Sequence, residues 1–364
     1  MTRRILLRTD NGDLFNPRPV FVAGTFNNWN ASHPDYELQP TERPGEYRIE
    51  INLPDDTTAV EYKFTRGSWA TVELGNYGQY ASNRYHTTGN GWRHIDYVDR
   101  WAGDALYYRE DLLPKIEVIS EDFEIPQLIR TRRIAALLPH DYYETDKRYP
   151  VLYLQDGQNL YDDYAPYGSW GVDKRLAMLA EQGIGDVIVI SIDHAEEQRV
   201  AEFTPSFRTK LGRGDGKKYV RFLADTLKPY IDDHYRTLTD APNTGIGGSS
   251  MGGLISIYAG LMYPEVYDKL MIFSPSLWVT PNIPFHLVDL TSEFDGRIYL
   301  YGGQAESTTM VPNIERFREE LARQSGARDV AFNLSIDPNG QHNEARWGEE
   351  FPHAIQWLFF QETL

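Results

Sequence analysis

The chain has 364 residues, a net charge of -17 and no cysteine. Without cysteine there is no disulfide, thiol nucleophile or thiolate metal site, and the negative charge argues against nucleic acid or an anionic membrane as partner. No stretch approaches the ~20 consecutive apolar residues of a membrane span, and the length exceeds what one core ordinarily holds, so two domains are expected.

Residues 1–100 carry 11 Lys and Arg against 13 Asp and Glu, so the acid excess lies mostly beyond them. The opening MTRRILLRTDNGD has an apolar run of only three residues. That is too short for a secretory leader, and on this ground the chain reads as cytoplasmic, or as a mature or trimmed form. Residues 1–100 then run through short alternating segments (RRILLRT, PVFVAG, EYRIEINL, AVEYKFT, HIDYV) separated by Gly, Pro, Asn and Asp. This spacing predicts an all-β, immunoglobulin-like sandwich. The stretch WAGDALYYREDLLP, within 101–114, reads as a connector.

From 115 to 364 the pattern changes. Apolar runs (RRIAALLP, YPVLYLQDG, DVIVISIDH, NTGIGGSS, DKLMIFSPS, RIYLYGG, VAFNLSID) alternate with helical ones: SWGVDKRLAMLAEQ, KKYVRFLADTLKPYIDDHY, MGGLISIYAGLMYP, NIERFREELARQ and EARWGEEFPHAIQWLFFQ. Such alternation predicts an α/β domain, a mostly parallel sheet flanked by helices.

GIGGSSMGG, residues 245–253, holds the sharpest chemical signal. Glycines stand two before and two after Ser250, giving a G-x-S-x-G match between an apolar strand and an apolar helix. In such an elbow the serine sits on a strained turn with its hydroxyl above the sheet, and small neighbours let strand and helix approach closely. Ser250 is therefore the candidate nucleophile. The amide of Met251, at the helix N-terminus, is the first candidate oxyanion donor.

A serine nucleophile needs a base, and in this kind of fold the partners follow in the order Ser, acid, His. Only His286, His342 and His353 follow Ser250. His353 lies in the last helical pattern and His286 precedes every strand-end acid. His342, in the loop DPNGQHNEA between the last strand and last helix, is the candidate. Glu306, at the end of RIYLYGGQAES, is the candidate acid, with Asp337, at the end of the last strand, as rival. The second oxyanion donor is expected after YPVLYLQDG, where Gly157 lets the backbone turn, at the amide of Gln158. Asp156 reads as a loop-shaping residue. The expected chemistry uses no metal and no cofactor.

Together these stretches resemble the esterase D and enterochelin esterase family of α/β-hydrolases over residues 115–364. YPVLYLQDGQNLYDD is similar to the family's strand and oxyanion loop, GGSSMGG to its elbow, FSPSLW to the strand beyond, and YGGQAES and NGQHNEARW to its acid and histidine stretches. The resemblance implies hydrolysis of a small carboxylic ester through an acyl-enzyme. Members act on siderophore trilactones, on feruloyl and acetyl esters of sugars, and on S-formylglutathione. IDHAEEQRVAEFTP, with Arg199 and Glu202, matches a family stretch that reads as active-site wall or as a salt-bridged support. A serine peptidase of the same fold, or a glycan-binding protein with an inactive hydrolase body, stays open.

FVAGTFNNWN and EYKFTRGSWATVELGNYGQYASNRY resemble the two halves of glycogen- and starch-binding modules. There, two aromatics stack on glucose rings while a lysine and an asparagine bond the hydroxyls. The resemblance implies Trp29, Lys63, Trp69 and Asn83 as ligand-binding residues and an α-glucan or other glycan as partner. Those modules place the second tryptophan directly before the residue matching Glu73, where this chain has Val72, with Trp69 earlier.

Overall fold

The structure, a computed structural model, describes residues 2–8, 19–41, 43, 45–54, 57–75, 81–87, 93–98, 100–102, 108–165, 167–281, 283, 294, 296–324, 330–338 and 340–361. His286, residues 76–80 of the starch-module-like stretch and residues 103–107 of the expected connector lie outside them. The chain divides into two compact units, Met1–Tyr107 and Tyr108–Leu364.

The first unit is built from β1 (Thr2–Arg8), β2 (Val20–Gly24), β3 (Glu37–Pro40), β4 (Glu46–Asn52), β5 (Ala59–Thr65), β6 (Glu73–Leu74), β7 (Arg84–Thr87), β8 (Arg93–Tyr97) and β9 (Arg100–Trp101). Strand pairing runs β7-β5-β2-β3-β4-β1-β8, with β6 and β9 as a separate pair. β3 joins the two halves of the sandwich. Val20 and Phe21 of β2 pair with its Leu38 and Glu37, while Arg48 and Tyr47 of β4 pair with its Gln39 and Pro40. β4 shows why the strands form: Tyr47, Ile49 and Ile51 are buried while Arg48, Glu50 and Asn52 are exposed, the period-2 alternation of a sheet with one wet face. These side chains meet Val22, Tyr62 and Phe64 in one core. Trp101, the first residue of the expected connector, pairs with Glu73 and is buried in that core.

Elements of the second unit, in chain order, are β10 (Lys115–Ile125), β11 (Arg130–Leu138), β12 (Val151–Gln155), α1 (Val172–Glu181), β13 (Ile188–Ile192), α2 (Arg199–Phe203), α3 (Gly216–Phe222), α4 (Lys228–His234), β14 (Thr244–Ser249), α5 (Ser250–Met262), β15 (Lys269–Phe273), β16 (Arg297–Gly303), α6 (Met310–Gln324), β17 (Ala331–Asp337) and α7 (Glu344–Ile355). A π-helical turn, Leu223–Leu227, makes α3 and α4 continuous. The sheet order is β10-β11-β13-β12-β14-β15-β16-β17. β10–β11 and β11–β13 are antiparallel and the remaining pairs parallel, so the mostly parallel sheet is as expected. The edge strand β10 was not foreseen. It carries exposed Ile116 and Val118, and its pairing with β11 is broken by register shifts.

The central strands are buried from end to end. α5 is apolar on every side and buried from Met251 to Leu261, the signature of a helix enclosed by its own domain. The order of strands places a switch point at β12, which pairs in parallel with β13 on one side and β14 on the other. Loops leaving β12 and β14 therefore open a crevice at their carboxyl ends, where open α/β sheets bind ligands. This is the α/β-hydrolase architecture, preceded by a β-sandwich.

Candidate active site

Ser250 is the first residue of α5 and has φ +54°, a left-handed conformation that costs a non-glycine residue energy and persists only where its surroundings enforce it. The flanking glycines show the enforcement. A Cβ on Gly248 would lie 2.9 Å from the backbone of Gly252, and one on Gly252 would lie 2.9 Å from Asp156 Oδ2. Small residues are thus required where β14, α5 and the end of β12 meet.

Glu306 and His342 come together over the ends of β16 and β17. His342 Nδ1 lies 2.7 Å from Glu306 Oε2. Glu306 is held from its other oxygen, which accepts the Gly303 amide at 2.7 Å and the Ser274 hydroxyl at 2.7 Å. Ser274, buried and itself at φ +44°, accepts the indole N–H of Trp347 at 2.9 Å. Trp347 sets its ring edge-on to His342, centroids 4.9 Å apart. A closed circuit results: His342, Glu306, Ser274, Trp347 and back to His342.

Asp337, the rival acid, is engaged elsewhere. Its carboxylate pairs with Arg346, and Tyr301 donates to it at 3.4 Å. Ser250 Oγ bonds Ser276 Oγ at 3.2 Å, and among the described residues it makes no hydrogen bond to His342.

The β12 turn forms the opposite wall. Asp156 is buried at φ +60° and both its oxygens bind Arg199, at 2.6 and 2.7 Å, which answers to the loop-shaping reading. Arg199 is thereby committed to Asp156, and the buried Glu202 to Arg130 and Arg132 at 2.5 and 2.7 Å. Both residues of that stretch are salt-bridged supports. Gly157 has no room for a side chain, since a Cβ would stand 2.4 Å from Asp193 Oδ1 and 2.6 Å from Ser191 Oγ. The Gln158 side chain clamps the loop after β13, donating to the His194 carbonyl at 3.0 Å and accepting its amide at 2.9 Å. Beside this turn lies a cavity of about 790 Å³. Burial pushes the Asp193 carboxyl at its edge up to about 6, against the opposing pull of Arg133. Burial also lowers the His194 pKa, which favours the neutral ring.

Ser274, Ser276 and Trp347 were not singled out from sequence. They stand in FSPSLW and NGQHNEARW, stretches already tied to the site, but their contacts join positions up to 73 residues apart. Among the described residues no group of His, Asp and Glu gathers as a metal site, and no helix is long and apolar enough to cross a membrane.

In the first unit, Trp29 (φ +58°) and Trp69 are neighbours, ring centroids 6.2 Å apart and planes inclined by 40°. Trp69 is 43% exposed. Lys63, on β5 opposite Ala23, is buried and so offers a ligand little surface. Asn83 is exposed and donates to Glu61 at 3.0 Å, on the same face of β5 as Lys63.

Residues 125–358 match the family model named Esterase. The chain belongs to the esterase family. It is a carboxylic ester hydrolase. It is 23% identical over 241 residues to the uncharacterized protein YbbA of Bacillus subtilis (strain 168), covering 63% of this chain and 92% of that protein. The crystal structure of the enterobactin esterase FES from Shigella flexneri in the presence of enterobactin superposes with a TM-score of 0.54 at 17% identity, covering 94% of this chain and 88% of that one. An alpha-amylase of Niallia circulans is 45% identical over 84 residues, 23% of this chain and 6% of the amylase.

Proposed function

We propose that the chain hydrolyses sugar esters through an acyl-enzyme on Ser250. Ser250 Oγ leaves Ser276, gives its proton to His342 Nε2 and attacks the ester carbonyl carbon. Catalytic hydrogen bonds often tighten only when substrate is bound. Collapse of the tetrahedral adduct expels the sugar alcohol, which takes the proton from His342. Water, deprotonated by the same ring, then releases the acid. Glu306 holds the Nδ1 tautomer and stabilises the imidazolium, while the amides of Met251 and Gln158 receive the oxyanion. The observation that carries this reading is the strained Ser250 at the β14–α5 turn together with the His342–Glu306 bond of 2.7 Å.

The sugar assignment rests on the first unit. Apolar sugar faces stack on aromatic rings, and the adjacent rings of Trp29 and Trp69 suit an α-glucan chain, in keeping with the amylase similarity. Two assays test the proposal. Hydrolysis of p-nitrophenyl acetate should be lost in Ser250→Ala, and equal turnover by that variant would defeat the catalytic reading. Glycogen in a native gel should retard the wild type but not Trp29→Ala. Equal mobility with and without glycogen would remove the glycan.

A further inference from the structure

The 790 Å³ cavity beside the β12 turn is lined in part by Gly157 and Gln158, next to Asp156, which touches the elbow, so it adjoins the oxyanion turn, while its other lining residues take no part in the chemistry above. Its outer wall is a tyrosine cluster. Tyr161 is fixed by Arg133, whose guanidinium donates to its hydroxyl at 3.0 Å. Tyr164 and Tyr167 are 94% and 70% exposed, and Asp162 accepts the Tyr164 amide at 2.8 Å. Exposed aromatic rings beside a cavity offer stacking surface to a ligand with an apolar face.

Charge narrows the class. Asp162, Asp163, Asp193 and Glu196 face the cavity, with Arg133 as the cation among them. Arg133 is spoken for by Tyr161, Glu121 and Asp193, and Asp163 is paired with Lys174. An anion such as a ferric catecholate would meet four carboxylates and a guanidinium already engaged by its neighbours. Aromatic faces rimmed by carboxylates and a guanidinium instead match a neutral polyhydroxyl ring, whose C–H face stacks while its hydroxyls donate to the carboxylates.

We propose that this cavity is the leaving-group subsite, binding the sugar ring of the ester with its C–H face against Tyr164 and Tyr167. This rests on the sugar-ester reading.

The test is calorimetric titration of 6-O-acetylglucose into a protein carrying Ser250→Ala, to stop turnover, and Trp29→Ala, to silence the first unit. Binding should be saturable, and adding Tyr164→Ala with Tyr167→Ala should raise Kd about tenfold or more. Tyr→Phe at both positions, which keeps the rings, should restore most of the affinity. Glucose 6-phosphate should bind more weakly than glucose. Saturable binding that ignores the tyrosines, no binding at all, or tighter binding of acetylcholine would each overturn the subsite. Wild-type turnover of p-nitrophenyl acetate, measured in parallel, separates failure of this subsite from failure of the esterase chemistry.

Discussion

Ser274 donates its hydroxyl to Glu306 Oε1 at 2.7 Å, and no other side-chain hydroxyl reaches that carboxylate among the described residues. Because the same oxygen atom of Ser274 accepts from Trp347, the last helix is connected to the acid through one buried atom. Replacing Ser274 by Ala removes a hydrogen bond from the carboxylate and leaves the Trp347 N–H without its acceptor. We expect kcat to fall about tenfold or more with KM nearly unchanged, since the loss is felt in orienting His342 and not in binding. Trp347→Phe keeps a ring against His342 and should cost about 1–3 kcal/mol of stability with a smaller effect on kcat. Steady-state kinetics and thermal melts of the two variants separate orientation from folding.

Glu306 and Asp337 should part company under conservative substitution. Glu306→Gln is expected to lower kcat by roughly a thousandfold or more while the fold survives, through loss of the correct histidine tautomer. Asp337 serves Arg346, itself largely buried. Asp337→Asn should keep kcat within a few-fold and cost about 1–3 kcal/mol of stability instead. Reversal of these two phenotypes would make Asp337 the acid.

Much of this site was legible because the fold writes it into short stretches. GIGGSSMGG announces an elbow since only glycine tolerates contacts of 2.9 Å at positions 248 and 252. Glu306 and His342 follow from strand order. Ser274 and Trp347 could not be derived in that way, for a serine and a tryptophan 73 positions apart carry no local pattern. Likewise β10 escaped notice because KIEVISEDFEI lies at the sheet edge, with little of it buried. In the first unit the alternation of β4 was plain, whereas Trp101 read as linker until its pairing with Glu73 placed it in the core. Trp69 stood at an unexpected spacing, and its 3-10 turn (Trp69–Thr71) nonetheless brings it against Trp29.

Gly157 offers a steric test of the oxyanion turn. Alanine there would collide with Asp193 and Ser191, including the Asp193 backbone nitrogen at 2.9 Å, so the turn must shift. A displaced donor should lower kcat by about a hundredfold while Ser250 still labels with a fluorophosphonate. Wild-type kcat in Gly157→Ala would show that the turn takes no part.

Asp193 gives a pH signature. Its carboxyl is raised from 3.8 to about 6, chiefly by burial, so the folded state holds its proton more tightly than the unfolded chain does. Stability from this group is therefore greatest below pH ~4, declines as pH rises toward about 6 and is flat beyond. Asp193→Asn lacks the buried charge. Its Tm relative to wild type should be more favourable at pH 7.5 than at pH 4.5, and a difference independent of pH would contradict the assignment.

The central claim is an acyl group on Ser250, and peptide mass spectrometry after acid quench during turnover of p-nitrophenyl acetate tests it most directly. An acetyl adduct should map to the peptide containing Ser250, accumulate more in His342→Gln if deacylation is the slower step there, and be absent from Ser250→Ala. An unmodified Ser250 peptide, with turnover undiminished in Ser250→Ala, would contradict it.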